Sequence, residues 1–334
     1  MIGSARFTFH DLAPGEESFR DAVLRGLGRA RKSIPCKFLY DTRGSALFEA
    51  ICRLPEYYPT RTEIAILEAN AAEIAAQIGP HGRLIEFGSG ASTKARILLQ
   101  ALDRPAAYVP VDISREHLRD AAGSLAEDFP WLPVVAVCAD YTRPFPLPPL
   151  PGPDGKRVGF FPGSTIGNFE PDAAVDFLAN YARILGHGGE MLIGVDLKKD
   201  PKILDAAYND RAGVTAEFNL NLLERINREL DGDLDIDRFE HVAFYNETEG
   251  RIEIYIRSLA NQEAWIAGTP IHFGAGELIH TEYSYKYSVP EFRTLAARAG
   301  FRPLDTWTDP AQLFSVHYFR PNFDHFLIQA IGKT

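Results

Sequence analysis

Apolar positions along the chain follow two rhythms. Phe19, Val23, Leu24 and Leu27 recur at helical spacing. They predict a helix within Asp11–Ile34, behind a mobile start and ahead of Pro35. From residue 60 onward, short apolar runs alternate with helical stretches. Leu84-Ile85, Tyr108–Asp112, Val134–Asp140, Val158–Phe161 and Glu190–Leu197 read as strands, and 60–78 and 172–186 as helices. Strands spaced by helices build a parallel, doubly wound sheet. Between Cys36 and Glu63, Pro55, Pro59 and the adjacent Tyr57 and Tyr58 predict a rigid, partly extended loop.

Beyond Lys198 the rhythm breaks. Ala216–Leu230 is an amphipathic helix with Phe218, Leu222, Ile226 and Leu230 on one face, and His241–Tyr245, Arg251–Leu259 and Ile271–Phe273 alternate like strands. A helix over 289–299 and strands near Leu304–Thr308, Phe314–Phe319 and Phe326–Ala330 then resume the first pattern. The chain is therefore expected to be α/β, with one domain from 61–197 plus 285–334 and a second, α+β domain from 1–60 plus 198–284. An insert this large is too long for a loop and is expected to form a substrate-covering layer. No internal repeat or low-complexity tract interrupts it.

The first βα turn carries the chemistry. Arg83-Leu-Ile-Glu-Phe-Gly-Ser-Gly-Ala-Ser-Thr-Lys94 runs from a strand through Glu86 to Gly88 and Gly90 before a helix. Glycines let the backbone turn sharply near a ligand, and a helix start offers free N–H groups. A dinucleotide pyrophosphate would be repelled by Glu86, whereas the sulfonium and ammonium of S-adenosylmethionine (SAM) would be attracted. Ala91 stands where a third dinucleotide-fold glycine would be. Asp112 ends the next strand, where an acid suits ribose hydroxyls. Asp140 and Tyr141 end the third, where an adenine could lie. Either aspartate alone is as readily a turn former, but three successive strand-end acids point to a ligand. The small-residue loop Pro162–Asn168 follows the fourth strand beside this turn, and Asn168 offers both a donor and an acceptor.

Composition narrows the classes. The 334 residues are 46% hydrophobic and 24% charged, with a net charge of −10, which excludes an overall basic nucleic-acid footprint. No apolar run reaches membrane-span length, and no signal peptide is expected. Cys36, Cys52 and Cys138 are odd in number and lack metal-site spacing, so free thiols in the cytoplasm are expected. The acidic Asp231–Asp237 turn lacks the glycine and terminal glutamate of a calcium loop, and no histidine pair has zincin spacing. No metal is predicted.

Five motifs occur in order: Pro55-Glu-Tyr-Tyr-Pro-Thr-Arg-Thr-Glu63, Glu86-Phe-Gly-Ser-Gly90, Gly163-Ser-Thr-Ile-Gly-Asn168, Tyr208-Asn-Asp-Arg-Ala-Gly-Val-Thr-Ala-Glu-Phe-Asn219 and Thr281-Glu-Tyr-Ser284. Together they resemble the histidine-specific N-alpha-methyltransferases of ergothioneine biosynthesis (EgtD type), over nearly the whole chain. The resemblance implies a Rossmann-like, class I SAM-dependent methyltransferase domain with a second, substrate-binding domain. It implies an enzyme that converts L-histidine to its trimethyl betaine, hercynine. It puts SAM against Gly88, Lys94, Asp112, Asp140 and Tyr141, beside the Glu86 and Gly90 already singled out. The amino acid's carboxylate and amine fall near Tyr57, Gly163, Asn168 and Tyr208, with Tyr57 and Asn168 as the positioning groups. The imidazole meets Glu282 and Ser284, with Tyr40 and Phe48 nearby. Ile254 stands where the family is expected to have a ring-pocket methionine. Another aromatic amino acid such as tryptophan, or a regulatory SAM-binding protein without turnover, are the alternatives. Methyl transfer to an amine needs alignment and a neutral nucleophile, and the proton acceptor is either solvent or a tyrosine. Residue types alone leave the oligomeric state open.

Overall fold

The computed structural model describes residues 7–12, 18–90 and 92–322. The chain divides into two compact units. The first holds Thr62–Leu197, the chain from Tyr287 onward, and an N-terminal strand.

That first unit is an eight-stranded sheet. Its strands are β1 (Phe7–Asp11), β3 (Arg83–Phe87), β4 (Ala107–Asp112), β5 (Val134–Cys138), β6 (Arg157–Phe161), β7 (Glu190–Asp196), β13 (Phe301–Thr308) and β14 (Phe314–Pro321). They lie in the order β1-β5-β4-β3-β6-β7-β14-β13. All pairings from β1 to β7 are parallel, and β14 runs antiparallel to both its neighbours. Every residue of β3, β5 and β7 is buried, as expected of parallel strands covered on both faces. The winding reverses between β3 and β6, and such a switch point opens a crevice at the carboxyl ends of the strands.

The helices of this unit are α3 (Tyr58–Ile78), whose first turn belongs to the second unit, α4 (Thr93–Ala101), α5 (Arg115–Asp128), α6 (Pro171–Leu185) and α9 (Val289–Arg298). Helix α6 starts on Pro171, buries Ala174, Phe177, Leu178, Tyr181 and Leu185 on one stripe, and stops at Gly186 with φ 71°. A Ser288–Glu291 capping box starts α9.

The second unit runs to Arg61 and includes Lys198–Lys286. It contains α1 (Phe19–Leu27), β2 (Lys32–Ser33), a 3₁₀ turn over Cys36–Leu39, α2 (Thr42–Ile51), α7 (Pro201–Tyr208) and α8 (Val214–Glu229). Its remaining strands are β8 (Phe239–Asn246), β9 (Arg251–Ser258), β10 (Gln262–Ile266), β11 (Thr269–Phe273) and β12 (Leu278–Tyr285). A four-stranded sheet has the order β2-β12-β9-β8, and β10 and β11 form a separate hairpin. Helix α8 buries Phe218, Leu222, Leu223 and Ile226 and packs on α2, β8 and β9.

Three expectations need correction. Asp11 does not begin a helix. Phe7 and Phe9 alternate with polar residues and the stretch pairs with β5, so residues 7–11 belong to the first unit rather than to a mobile start. The helix begins only after Ser18, whose hydroxyl caps it by accepting from Asp21 N at 3.1 Å. Thr42–Ile51 is helical rather than extended, because Asp41 caps it through Gly44 N at 2.7 Å and Pro55 and Pro59 fall outside it. Pro59 sits in the opening turn of α3, where a missing N–H costs nothing. The strand expected at Phe326–Ala330 lies outside the described residues. Among the described residues, no helix is long and apolar enough to cross a membrane.

Candidate active site

In the first unit the predicted residues collect at the carboxyl ends of β3 to β6. Gly88 (φ 69°) and Gly90 (φ 46°) turn the chain after β3 in the left-handed region that other residues adopt at a cost. A side chain on Gly88 would stand 3.1 Å from the Tyr141 hydroxyl, and nothing lies within 4 Å of the equivalent point on Gly90. Asp112 accepts from Gly90 N at 3.4 Å and from Ser114 N at 2.9 Å. Burial raises its carboxyl above the ordinary range, and the backbone donors pull it back only in part. Asp140 is held by Thr142, through its N at 3.0 Å and its hydroxyl at 2.5 Å. The Tyr141 ring meets Phe87 and Phe161 edge-on.

Glu86 lies beneath this turn. It is 1% exposed and accepts a hydrogen bond from Tyr108, whose oxygen is 2.9 Å from Ser92 Oγ. Burial pushes its carboxyl up to about 8, against the pull of Tyr108 and of the Lys94 charge. A cation nearby would draw that proton off. Ser89 Oγ, in the same turn, is buried without a hydrogen-bond partner among the described residues. An orphaned hydroxyl, open space at Gly90 and a carboxyl that gains from a positive charge all fit a polar, cationic ligand such as SAM.

Glu63, from α3, joins this turn to the β6 loop. Its carboxylate is fully buried and accepts from Gly163 N at 2.9 and 3.1 Å and from Lys94 Nζ at 2.5 Å. Lys94, assigned by resemblance to SAM, is thus already ion-paired. Ser164 Oγ accepts from Asp196 N at 2.8 Å, fixing the loop to β7, and Asn168 closes the loop half-buried. Sequence alone gives Glu63 no evident role, although it ends the Pro55–Glu63 motif. The available signal was its place one helical turn before Ile66 and Leu67, on the apolar face of α3.

The remaining six predicted residues lie in the second unit. Tyr40 and Phe48 meet at 5.4 Å between ring centroids, Phe48 and Tyr57 at 6.3 Å, and Tyr57 and Tyr208 at 6.1 Å. The Tyr208 hydroxyl reaches Ser284 Oγ at 3.1 Å. The backbone of Tyr208 is held by His241, whose Nε2 donates to its carbonyl at 3.0 Å. Glu282 and Ser284 are both buried on one face of β12, and Tyr283 between them points the other way, over Arg251. Burial raises Glu282 to about 7, and the Lys286 charge lowers it. Burial, with a smaller contribution from the Glu282 charge, raises both the Tyr57 hydroxyl and the Cys36 thiol above their ordinary values. Ile254 is directly across from Glu282 in the β9–β12 register. Lys286 went unnoticed in the sequence, although it continues the Glu282, Ser284 alternation by one more step.

Residues 19–321 match a family described as histidine-specific methyltransferase, SAM-dependent. The chain is 42% identical over 305 residues to the histidine N-alpha-methyltransferase of Mycolicibacterium smegmatis, covering 90% of this chain and 94% of that one. It is 40% identical over 307 residues to the histidine N-alpha-methyltransferase of Mycobacterium tuberculosis, covering 90% and 94% respectively. The ergothioneine biosynthesis protein 1 of Neurospora crassa is 33% identical over 290 residues, which span 83% of this chain and 32% of that protein.

The Glu63 arrangement constrains a neighbouring strand. A methyl group on Gly194 of β7 would stand 2.1 Å from Glu63 Oε1 and 2.9 Å from its carboxyl carbon. Glu63 is pinned by its donors and cannot swing aside. Gly194→Ala should therefore destabilise the protein by about 1–3 kcal/mol. In a Glu63→Ala background, itself destabilised because Lys94 and Gly163 N lose their acceptor, the further cost of Gly194→Ala should be smaller. Denaturant unfolding of the single and double variants measures both, and an unchanged midpoint in Gly194→Ala would contradict the packing described.

Proposed function

The chain belongs to the SAM-dependent, histidine-specific methyltransferase family, and from that premise we propose that it methylates the α-amino nitrogen of L-histidine three times, yielding hercynine in ergothioneine biosynthesis. The observation that carries the substrate assignment is the side-by-side burial of Glu282 and Ser284 on one face of β12. A carboxylate and a hydroxyl there match a ring that donates from one nitrogen and accepts at the other. The names of the relatives point the same way. Cytoplasmic residence, favoured by cysteines that form no disulfide among the described residues, belongs to the same proposal.

SAM, when bound, supplies an already activated methyl group. The chain's own task is then to hold both reactants and orient the neutral amine. In the first unit Gly88 and Gly90 cradle the ligand, Asp112 takes the ribose hydroxyls, Asp140 and Tyr141 border the adenine, and Lys94 and Glu86 supply charge. Gly163, Asn168, Tyr57 and Tyr208 position the carboxylate and amine of histidine. Tyr40 and Phe48 supply apolar wall, and Glu282 and Ser284 read the ring. Holding both reactants in line contributes roughly 7–11 kcal/mol without any covalent intermediate.

Supplying each of the twenty amino acids with SAM and weighing the products tests the reading. Histidine should be the substrate, and the trimethylated product should accumulate. Arrest at the monomethyl stage with SAM remaining would refute the successive transfer. Preference for tryptophan, or no product with any amino acid, would favour one of the alternatives.

Asp112→Ala should weaken SAM binding by about 1.5–3 kcal/mol, the worth of a charged hydrogen bond. A folded variant with the parent dissociation constant would remove Asp112 from the ribose site.

Glu282 gives a pH dependence of known sign. Its carboxyl is raised by burial to about 7, and a ring N–H donated to it favours the ionised form. Histidine binding should therefore release a proton and strengthen as pH rises through about 7. The histidine ring itself loses its proton near pH ~6.5 and acts in the same direction. Glu282→Gln should keep that part and lose the rest, and Glu282→Ala should also narrow the preference for histidine over tryptophan and phenylalanine. Calorimetry from pH 6 to 8 with S-adenosylhomocysteine present reads both effects. Identical pH profiles in parent and Glu282→Gln would exclude the carboxylate from ring recognition.

A further inference from the structure

We propose that Lys286 is the positioning residue that fixes the direction of the hydrogen bonds with which the second unit reads histidine. The inference rests on the substrate assignment above.

Lys286 immediately follows β12 and is 1% exposed. Its ammonium lies 2.8 Å from the Tyr208 hydroxyl and 2.9 Å from Ser284 Oγ, and those two oxygens are 3.1 Å apart. An ammonium has three donors and no acceptor, so both hydroxyl oxygens must accept from it. Tyr208 donates its own proton to Ser284. Both lone pairs of Ser284 are then occupied, one by Lys286 and one by Tyr208. The hydroxyl of Ser284 retains a proton and no free lone pair, so toward a ligand it can only donate.

Glu282 on the same strand face has the opposite character. Ionised, it can only accept, and the Lys286 charge favours that ionised form. The pair therefore demands a ring with one bare nitrogen and one N–H. Neutral imidazole has that pattern. An indole has an N–H and no acceptor, a phenyl ring has neither, and an imidazolium would present an N–H to a hydroxyl that cannot receive it. Without Lys286, Ser284 could rotate and accept, and the pattern would relax. One buried cation thus sets the polarity of two otherwise ambivalent hydroxyls.

Two variants separate this role from simple packing. Lys286→Met keeps an unbranched apolar stem and removes every donor. Lys286→Gln removes the charge and keeps an amide with two N–H donors, enough for both oxygens. Histidine and phenylalanine binding are measured by calorimetry in the presence of S-adenosylhomocysteine, whose own affinity reports that each variant is folded. Lys286→Met should weaken histidine binding about ten- to a hundredfold and reduce the histidine-over-phenylalanine ratio by a similar factor. Lys286→Gln should recover a measurable part of both. Parent-like histidine binding in Lys286→Met would overturn the proposal. So would equal losses for histidine and phenylalanine, or equal losses in the two variants. A parent protein that binds no histidine would instead overturn the substrate assignment, which keeps the two failures distinct.

Discussion

A buried carboxylate must be matched by donors on every side, and Glu63 is where the first unit meets that requirement. Its two oxygens take the Gly163 N–H and the Lys94 ammonium. One anion therefore ties helix α3 to the start of α4 and to the loop after β6. Removing any one partner leaves the others buried and short of a bond, at a cost of several kcal/mol. The same anion dictates sequence at a distance, since Gly194 is glycine because Glu63 fills the space a methyl would need. One buried charge thus reinforces the left-handed glycines and backbone bonds that already shape the glycine turn and the β6 loop.

The second unit solves the converse problem with a buried cation. Lys286 donates to the Tyr208 and Ser284 hydroxyls, and its charge acts on Glu282. Burial alone would push the Glu282 carboxyl far toward its neutral form, and the ammonium restrains that rise. Ring contacts from Tyr40 through Phe48 and Tyr57 to Tyr208 supply the apolar setting that makes both groups sensitive to one another. Discrimination by such a site comes from unmet hydrogen bonds more than from shape, because a wrong ring leaves buried polar groups unpaired.

Much of this was legible in the sequence wherever local pattern and global fold agree. The strands of the main sheet from β3 to β7 read as continuous apolar runs because both faces are covered, and the strand-end acids mark the edge where they end. The β12 alternation placed Glu282 and Ser284 on one face. Legibility failed where tertiary partners decide. Phe7–Asp11 is too short to identify as a strand until β5 is present to pair with it. Lys32–Ser33 likewise depends on β12. Helix α2 was hidden because its cap, Asp41, is confirmed by Asn221 and Arg228, distant in sequence. Long motifs also mislead about role. In Tyr208–Asn219, Asp210 caps α8 through Val214 N and Thr215 N, and Asn219 links α8 to Thr281 and to the backbone of Tyr255. Tyr208 and Phe218 of that motif join the aromatic cluster, Phe218 against Tyr40 and Phe48 and Tyr208 against Tyr57. Glu63 and Lys286 were illegible as functional residues because a charge in sequence reads as surface until its donors and acceptors are seen.

The chemistry of the proposed reaction limits which groups can take the amine's proton. A tyrosine acting as base must reach its phenolate form, yet burial drives Tyr57 well above its ordinary value, with Tyr208, Cys52, Tyr40 and Glu282 adding to the effect. At neutral pH Tyr57 is therefore a neutral hydroxyl that can orient an amine and cannot deprotonate it outright. Glu282, raised to about 7, has a pKa suited to proton transfer, but the proposed substrate reading commits it to the imidazole ring. An ammonium in solution loses its proton to water readily on the time scale of a turnover of seconds or less, and each methyl transfer needs only the small neutral fraction to be captured. A site that selects neutral amine by position, and leaves the proton to solvent, needs no buried base. It also has no donor requirement that would fail as successive methyl groups replace the N–H bonds. The absence of a strong base among the clustered side chains is in this sense a condition for carrying the same amine through three transfers.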